Sequence, residues 1–196
     1  LEFFQDAYYL KTFGNTLLLS AMVLLTTTFF AVTLAYILAR YRPRGKTVFT
    51  AMILLPIVLP AFAGVFEFII FFAKYGTANL LLMEIGLIDK PINFIYGLHG
   101  LVFIQSLHML PFIVLGLSAG FTNIDPSFEE AAEVEGASGL RRFFTVTLPL
   151  CTPSYLAGAV LVFLWPFTDW LTPLIVGQVD ILPSVSYINI SYHFTD

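Results

Sequence analysis

Apolar residues gather in four long runs, at positions 16–39, 49–72, 95–121 and 148–176, and short stretches that carry most of the charge lie between them. Each run reaches the roughly 20 residues that a helix needs to cross a hydrocarbon core. In lipid the backbone must pair its own N–H and C=O groups within the segment, so each run predicts a spanning helix. Signal sequences have shorter apolar stretches, and none of the four is read as one. The expected fold is an all-α, polytopic transmembrane helix bundle forming one unit over residues 1–196, with no internal repeat.

The polar interval at 122–147 has a pattern of its own. Asp125-Pro126 supplies an N-cap and then a proline at the first helical position, and Ser127 with Glu130 has capping-box spacing. A helix is predicted to start here. Glu129, Glu130 and Glu133 favour the positive end of its dipole, while Phe128, Ala131 and Ala132 form an apolar stripe. Gly136 predicts the stop, at a positive φ that other L-residues reach only at a cost. A second short helix is expected from Ser138, with Leu140, Phe143 and Phe144 on one face and Arg141, Arg142 and Thr145 on the other. Pro149 then opens the last run. Two short helices hinged at a glycine, bearing small alanines, two exposed phenylalanines and several charges, make a knob suited to a groove on a partner.

Composition supports the bilayer. The chain is 58% hydrophobic and 11% charged, with a mean hydropathy of +0.87, whereas charged residues make up about a quarter of a soluble domain. Lys and Arg set the orientation, because positive residues stay on the cytoplasmic side of short loops. Arg40, Arg42, Arg44 and Lys46 lie in the first loop, and alternation puts Arg141 and Arg142 on the same side, leaving Lys11, Lys74 and Lys90 outside. Six inside against three outside places the 122–147 loop in the cytoplasm. The net charge of −4 does not conflict, since five of the acids sit in that loop and acids contribute little to orientation, and it gives no reason to expect a nucleic-acid partner.

The spacing Glu130-Ala131-Ala132, three residues, Gly136, nine residues, Val146-x-Leu148-Pro149 resembles the signature loop of the permeases of binding-protein-dependent ABC importers. Weaker matches extend over nearly the whole chain: Asn15-Thr16, Pro56, Pro60, and Asp169 with Pro173-Leu174-Ile175-x-Gly177. Together they are most similar to the ferric iron, aminoethylphosphonate, thiamine and polyamine cluster of type I importer fold. The resemblance implies that this loop docks on a cytoplasmic ATPase dimer through Glu130, Ala131, Ala132, Gly136, Phe143, Val146, Leu148 and Pro149, with Glu130 pairing a basic residue there. Glu135 departs from the pattern, which usually has an apolar residue before the glycine. The resemblance further implies a periplasmic or surface binding protein on outer loops such as 73–94. It also implies a second permease half, as homodimer, heterodimer or fused copy, in a bacterial cytoplasmic (inner) membrane, and at least one further span beyond each end of this stretch. The sequence has no G-x-x-x-x-G-K-[ST] phosphate loop, so the family reading makes the chain a non-enzyme that binds no cofactor and leaves ATP and Mg to the partner. The cargo stays open.

Ionisable groups within a span cost roughly 2.5–3.5 kcal/mol on insertion scales and are kept away from lipid. Asp169, between Pro166 and Pro173 where the helix should break, is either a path or gate carboxylate or a helix-terminus cap near the outer interface, with Trp165 and Trp170 as anchors. Glu67 either faces the interior or makes an ion pair. Gln105 and His108, at i and i+3, share one face of the third run and either line a path or hydrogen-bond a neighbouring helix. Neither His99 nor His108 sits in a metal-binding pattern, and lone Cys151 is read as a packing residue. A secondary transporter or channel would account for the spans and the acids, but not for the loop.

Overall fold

The computed structural model describes residues 7–41, 45–58, 61–177 and 180–193, and among them every regular element is helical. The elements are α1 (Ala7–Arg40), α2 (Lys46–Val58), α3 (Ala61–Phe72), α4 (Thr77–Glu84), α5 (Leu98–Asn123), α6 (Pro126–Val134) and α7 (Gly139–Arg142). From α7 the chain passes without a break through a π-helix, Phe143–Thr147, into α8 (Leu148–Leu150). After Cys151 come α9 (Thr152–Leu164), a 3-10 turn (Trp165–Phe167), α10 (Leu171–Val176) and α11 (Leu182–His193). Arg42, Pro43 and Arg44 of the basic loop and Pro60 lie outside the described residues.

Three helical stretches, Ala7–Arg40, Gly64–Glu84 and Leu98–Asn123, are long and apolar enough to cross a membrane, and a bent pair, Gly139–Leu150 with Thr152–Phe167, makes a fourth. The all-α bundle stands. Its elements differ from the four predicted runs in three ways. The run at 49–72 is two helices, α2 and α3, and the apolar stretch that begins at Gly64 continues through a tight turn into α4. The run at 148–176 bends by 72° around Cys151 and breaks again after Phe167. Prolines explain both interruptions: Pro149 and Pro153 flank the bend and Pro166 sits in the 3-10 turn, each lacking the N–H that would continue the ladder. Finally, a further helix, α11, follows the four runs, and its start is tied to α1 by Asn15 donating to the Asp180 carbonyl at 3.0 Å and by the Leu182 N–H donating to Thr16 at 3.0 Å.

α5 is the axis of the bundle: 61% of its apolar window is buried, against 28% for α1, and it runs through Pro111 unbroken. α1 meets it along a stripe of residues three or four apart, including Thr16, Val23, Thr27, Ala31 and Ala35. Most of that stripe is small, which lets the backbones close up, and hydroxyls cross the seam. Thr27 donates to the Ser106 carbonyl and Ser106 to the Val23 carbonyl, both at 3.4 Å, and the Thr28 and Tyr155 hydroxyls meet at 3.0 Å between α1 and α9. α9 crosses α5 at glycines: a Cβ on Gly116 would stand 2.5 Å from the Ser154 carbonyl oxygen, and one on Gly158 would stand 2.7 Å from that of Phe112. Gly116 and Gly120 have the small-xxx-small spacing that permits such approach.

The two ends of the bundle are distinct. Arg40, Lys46, Arg141 and Arg142 lie at the end where α1 and α5 finish. Lys11, Lys74 and Lys90 lie toward the other, where the 73–94 loop is organised by buried Asn79: its side chain donates to the Ala73 and Ile92 carbonyls at 2.9 and 2.7 Å and accepts the Ile92 N–H at 2.9 Å.

Candidate functional site

The loop between α5 and α9 begins at Asp125, whose side chain caps α6 by accepting the Ser127 N–H at 2.9 Å. That hydrogen bond favours the charged form and holds the Asp125 carboxyl below the usual carboxylate range. α6 ends in a Schellman arrangement: the Gly136 N–H donates to the Glu133 carbonyl and the Ala137 N–H to that of Ala132, each at 2.9 Å. Gly136 itself has φ +83°, and a Cβ there would meet nothing within 4 Å, so the need for glycine is purely conformational. Two helices therefore meet at this residue. Arg142 closes the hairpin on Glu133 at 2.9 Å.

Past the hinge, the π-helix precedes Pro149, whose ring collides with the carbonyl four residues back and disturbs the regular ladder. Two adjacent phenylalanines there meet edge to face, with ring centres 5.2 Å apart, but have different surroundings. Phe143 turns into the bundle, with its ring centre 5.2 Å from that of Tyr36 and 6.2 Å from that of Phe121, while Phe144 remains 62% exposed. The expectation that both would be exposed is thus corrected for Phe143, because Tyr36 and Phe121 offer it an apolar seat. Leu148 and Val146 are half-buried, Pro149 is exposed, and Ala132 is more covered than Ala131.

Glu129 and Glu130 point to different surroundings. Glu129 receives Arg40, the last residue of α1, and the buried Thr147 hydroxyl at 2.8 Å. Glu130 is exposed, and no salt bridge holds it among the described residues. Glu135 is exposed as well. Four large apolar side chains of the loop, Phe128, Val134, Leu140 and Phe144, are also exposed, Val134 to 90%, and Leu140 and Phe144 line a groove with Phe29 and Val32 of α1.

A second polar cluster lies toward the opposite end. Asp169 is buried where the fourth span breaks, accepting the Thr172 N–H at 3.1 Å and the Gln105 amide at 3.0 Å. It caps the start of α10 and ties it to α5. His108, one turn from Gln105, lies against Trp165 with ring centres 5.4 Å apart, and the three polar residues line one small cleft with Thr172. Trp165 thus lines that cleft, while Trp170 stacks on Tyr187 of α11 with centres 3.9 Å apart. Inside the cleft the Gln105 Oε1 has no hydrogen-bond partner among the described residues. Glu67 is not part of this cluster, since it stands exposed on α3. Cys151 is fully buried at the bend, a packing position.

Sequence reasoning missed Arg40 and Thr147 as partners of the loop, the tie that Asn79 makes to Ala73 and Ile92, and the glycine contact between α5 and α9. The Gly116-x-x-x-Gly120 spacing was the readable signal for the last; the Arg40 contact joins residues 89 positions apart, and the Asn79 bonds depend on how the 73–94 loop folds back on itself.

An all-helical bundle with membrane-crossing helices and a hinged loop carrying the Glu-Ala-Ala pattern defines the class, a helical transport permease. The model of the family described as binding-protein-dependent transport system inner membrane component matches residues 31–195, and the chain belongs to that family. Among curated relatives, it is 33% identical over 163 residues to the molybdenum transport system permease protein ModB of Haemophilus influenzae, covering 80% of this chain and 69% of the relative. Identity to the spermidine/putrescine permease PotB of the same species is 27%, covering 80% of this chain and 54% of the relative. For the ferric transport permease FbpB of Actinobacillus pleuropneumoniae it is 28%, covering 95% and 27%. Of most of these relatives the chain thus spans about half the length or less. A crystal structure of a bacterial ABC transporter that imports the polysaccharide alginate superposes with a TM-score of 0.72 at 21% identity, over 94% of this chain and 68% of that one, and so shares its fold.

Proposed function

We propose that the chain forms part of a solute translocation path in a bacterial cytoplasmic membrane and takes its driving force from a separate ATPase dimer docked on residues 122–147. The observation that carries this reading is the opposite setting of two neighbouring acids. Glu129 is spent inside the protein, whereas Glu130 is exposed on a loop that also leaves Phe128 and Val134 open, as a docking surface requires. Glu130 pairs a basic residue of the ATPase, and Phe143, seated on Tyr36 and Phe121, anchors the knob that carries it. The clustering of Arg40, Lys46, Arg141 and Arg142 at the loop's end of the bundle supports a cytoplasmic position for it.

The 73–94 loop faces the outside and receives a binding protein. A second permease half completes the path. Glu67 supports that pairing: an exposed carboxylate on an apolar helix is costly against lipid, so it meets water of the path or the other half. The Gln105, His108 and Asp169 cluster lines the same path near its outer end. Similar identities to permeases for cargoes as unlike as molybdenum, spermidine or putrescine, and ferric iron single out no cargo, which is consistent with a choice made by the binding protein.

Reversing the free charge tests the docking. Glu130→Lys is expected to abolish uptake in the assembled transporter and to weaken copurification with the ATPase, while membrane insertion stays at the wild-type level. Wild-type uptake by this variant, with the ATPase still bound, would remove Glu130 from the coupling role.

A further inference from the structure

We propose that Arg40, Glu129 and Thr147 are positioning residues that clasp the loop to the bundle, so that movement of α6 is passed to α1 and to the bend at Cys151. The proposal rests on the coupling role assigned to the loop. It starts from a deficit: α6 has nine residues, and none is buried. Such a helix has no apolar face holding it in place, and its covalent link to the next helix runs through Gly136, a hinge with open space around it. Left so, only the Arg142–Glu133 pair, with Glu133 71% exposed, would oppose rotation at Gly136 when α6 is pushed.

The clasp removes that freedom. A single oxygen of Glu129, Oε1, takes both the Arg40 guanidinium, at the very end of α1, and the Thr147 hydroxyl, four residues before Cys151. Thr147 is 2% exposed and the two charged side chains are 29% and 18% exposed, so the triad is screened far less than a surface ion pair. The three residues belong to three elements, and Arg40 and Glu129 are 89 residues apart in the chain. Glu129 also lies in the first turn of α6, where the helix dipole favours its charge. The bound loop is therefore fixed to the C-terminal end of α1 and to the entry of α9 together, leaving the adjacent Glu130 turned outward.

The test uses the full transporter, with its ATPase and binding protein, in proteoliposomes. Arg40→Gln and Glu129→Gln are each expected to keep the ATPase bound but to lower uptake per ATP hydrolysed about 10-fold, a size usual for coupling between sites. Exchanging the charges, Arg40→Glu with Glu129→Arg, should recover most of the loss. A reversed pair places a cation on a helix N-terminus, so a second measurement stands beside it. With Cys151→Ser as background, Arg40→Cys with Glu129→Cys should be uncoupled as made and recoupled after joining by a short bifunctional thiol reagent. Unchanged uptake per ATP in both single variants overturns the clasp, as does a cross-linked protein that stays uncoupled. Should Glu130→Lys have no effect, the coupling role itself fails and the clasp falls with it; if Glu130→Lys uncouples and the clasp variants do not, only the clasp is lost.

Discussion

Asp169 and Glu67 are both carboxylates in apolar helical surroundings, and packing gives them different work. Asp169 holds the Thr172 N–H and the Gln105 amide in a buried cleft, whereas Glu67 stands exposed on α3. Removing Asp169 strands an amide that already has one unpaired oxygen. Asp169→Ala is therefore expected to lower thermal stability in detergent by about 1–3 kcal/mol, the usual cost of leaving buried polar groups unsatisfied. Glu67→Ala, at an exposed site, should stay within about 0.5 kcal/mol of wild type. Equal losses in the two melting curves would show that burial does not separate these acids. The sequence placed both in apolar runs; which one is buried depends on α5 and α10 meeting, and no spacing within either helix records that.

At the scale of elements, the hinge is the feature whose chemistry was most legible. Asp125-Pro126 and Gly136 act locally, through a cap, a missing N–H and a positive φ, so their positions in the chain suffice to place both ends of α6. Gly136→Val should strain the backbone by roughly 1–2 kcal/mol and misdirect α7, separating Phe143 from Tyr36 and Phe121. Ser138→Ala is the comparison, since Ser138 makes no side-chain capping bond. Uptake by reconstituted transporter should fall much further for the valine variant; similar rates for the two would mean that the hinge angle is not transmitted. Less legible were the breaks in the spans. Hydrophobicity averages over a bend, and so residues 148–176 read as one run although prolines at 149, 153 and 166 divide it.

The whole molecule orders its elements between two unlike ends, and that arrangement has a direct check. In a Cys151→Ser background, Gly139→Cys should be shielded from a membrane-impermeant thiol reagent added outside intact cells, while Thr77→Cys should react. Labelling at 139 would put the loop on the outer face and end the ATPase-coupling account. The sequence by itself determined that the chain is helical and belongs in a bilayer, because hydropathy, chain length and the need for backbone pairing act on each segment alone. It determined the loop's two helices for the same reason, as caps and turns are settled by neighbours in sequence. Only the tertiary structure decided which of two adjacent glutamates is spent on the bundle and which is free, which phenylalanine is an anchor, and which polar residues of the spans share a cleft. Those outcomes depend on contacts between residues as distant in the chain as Tyr36 and Phe143, where the close approach of α1, α5 and α9 sets which side chains can reach one another.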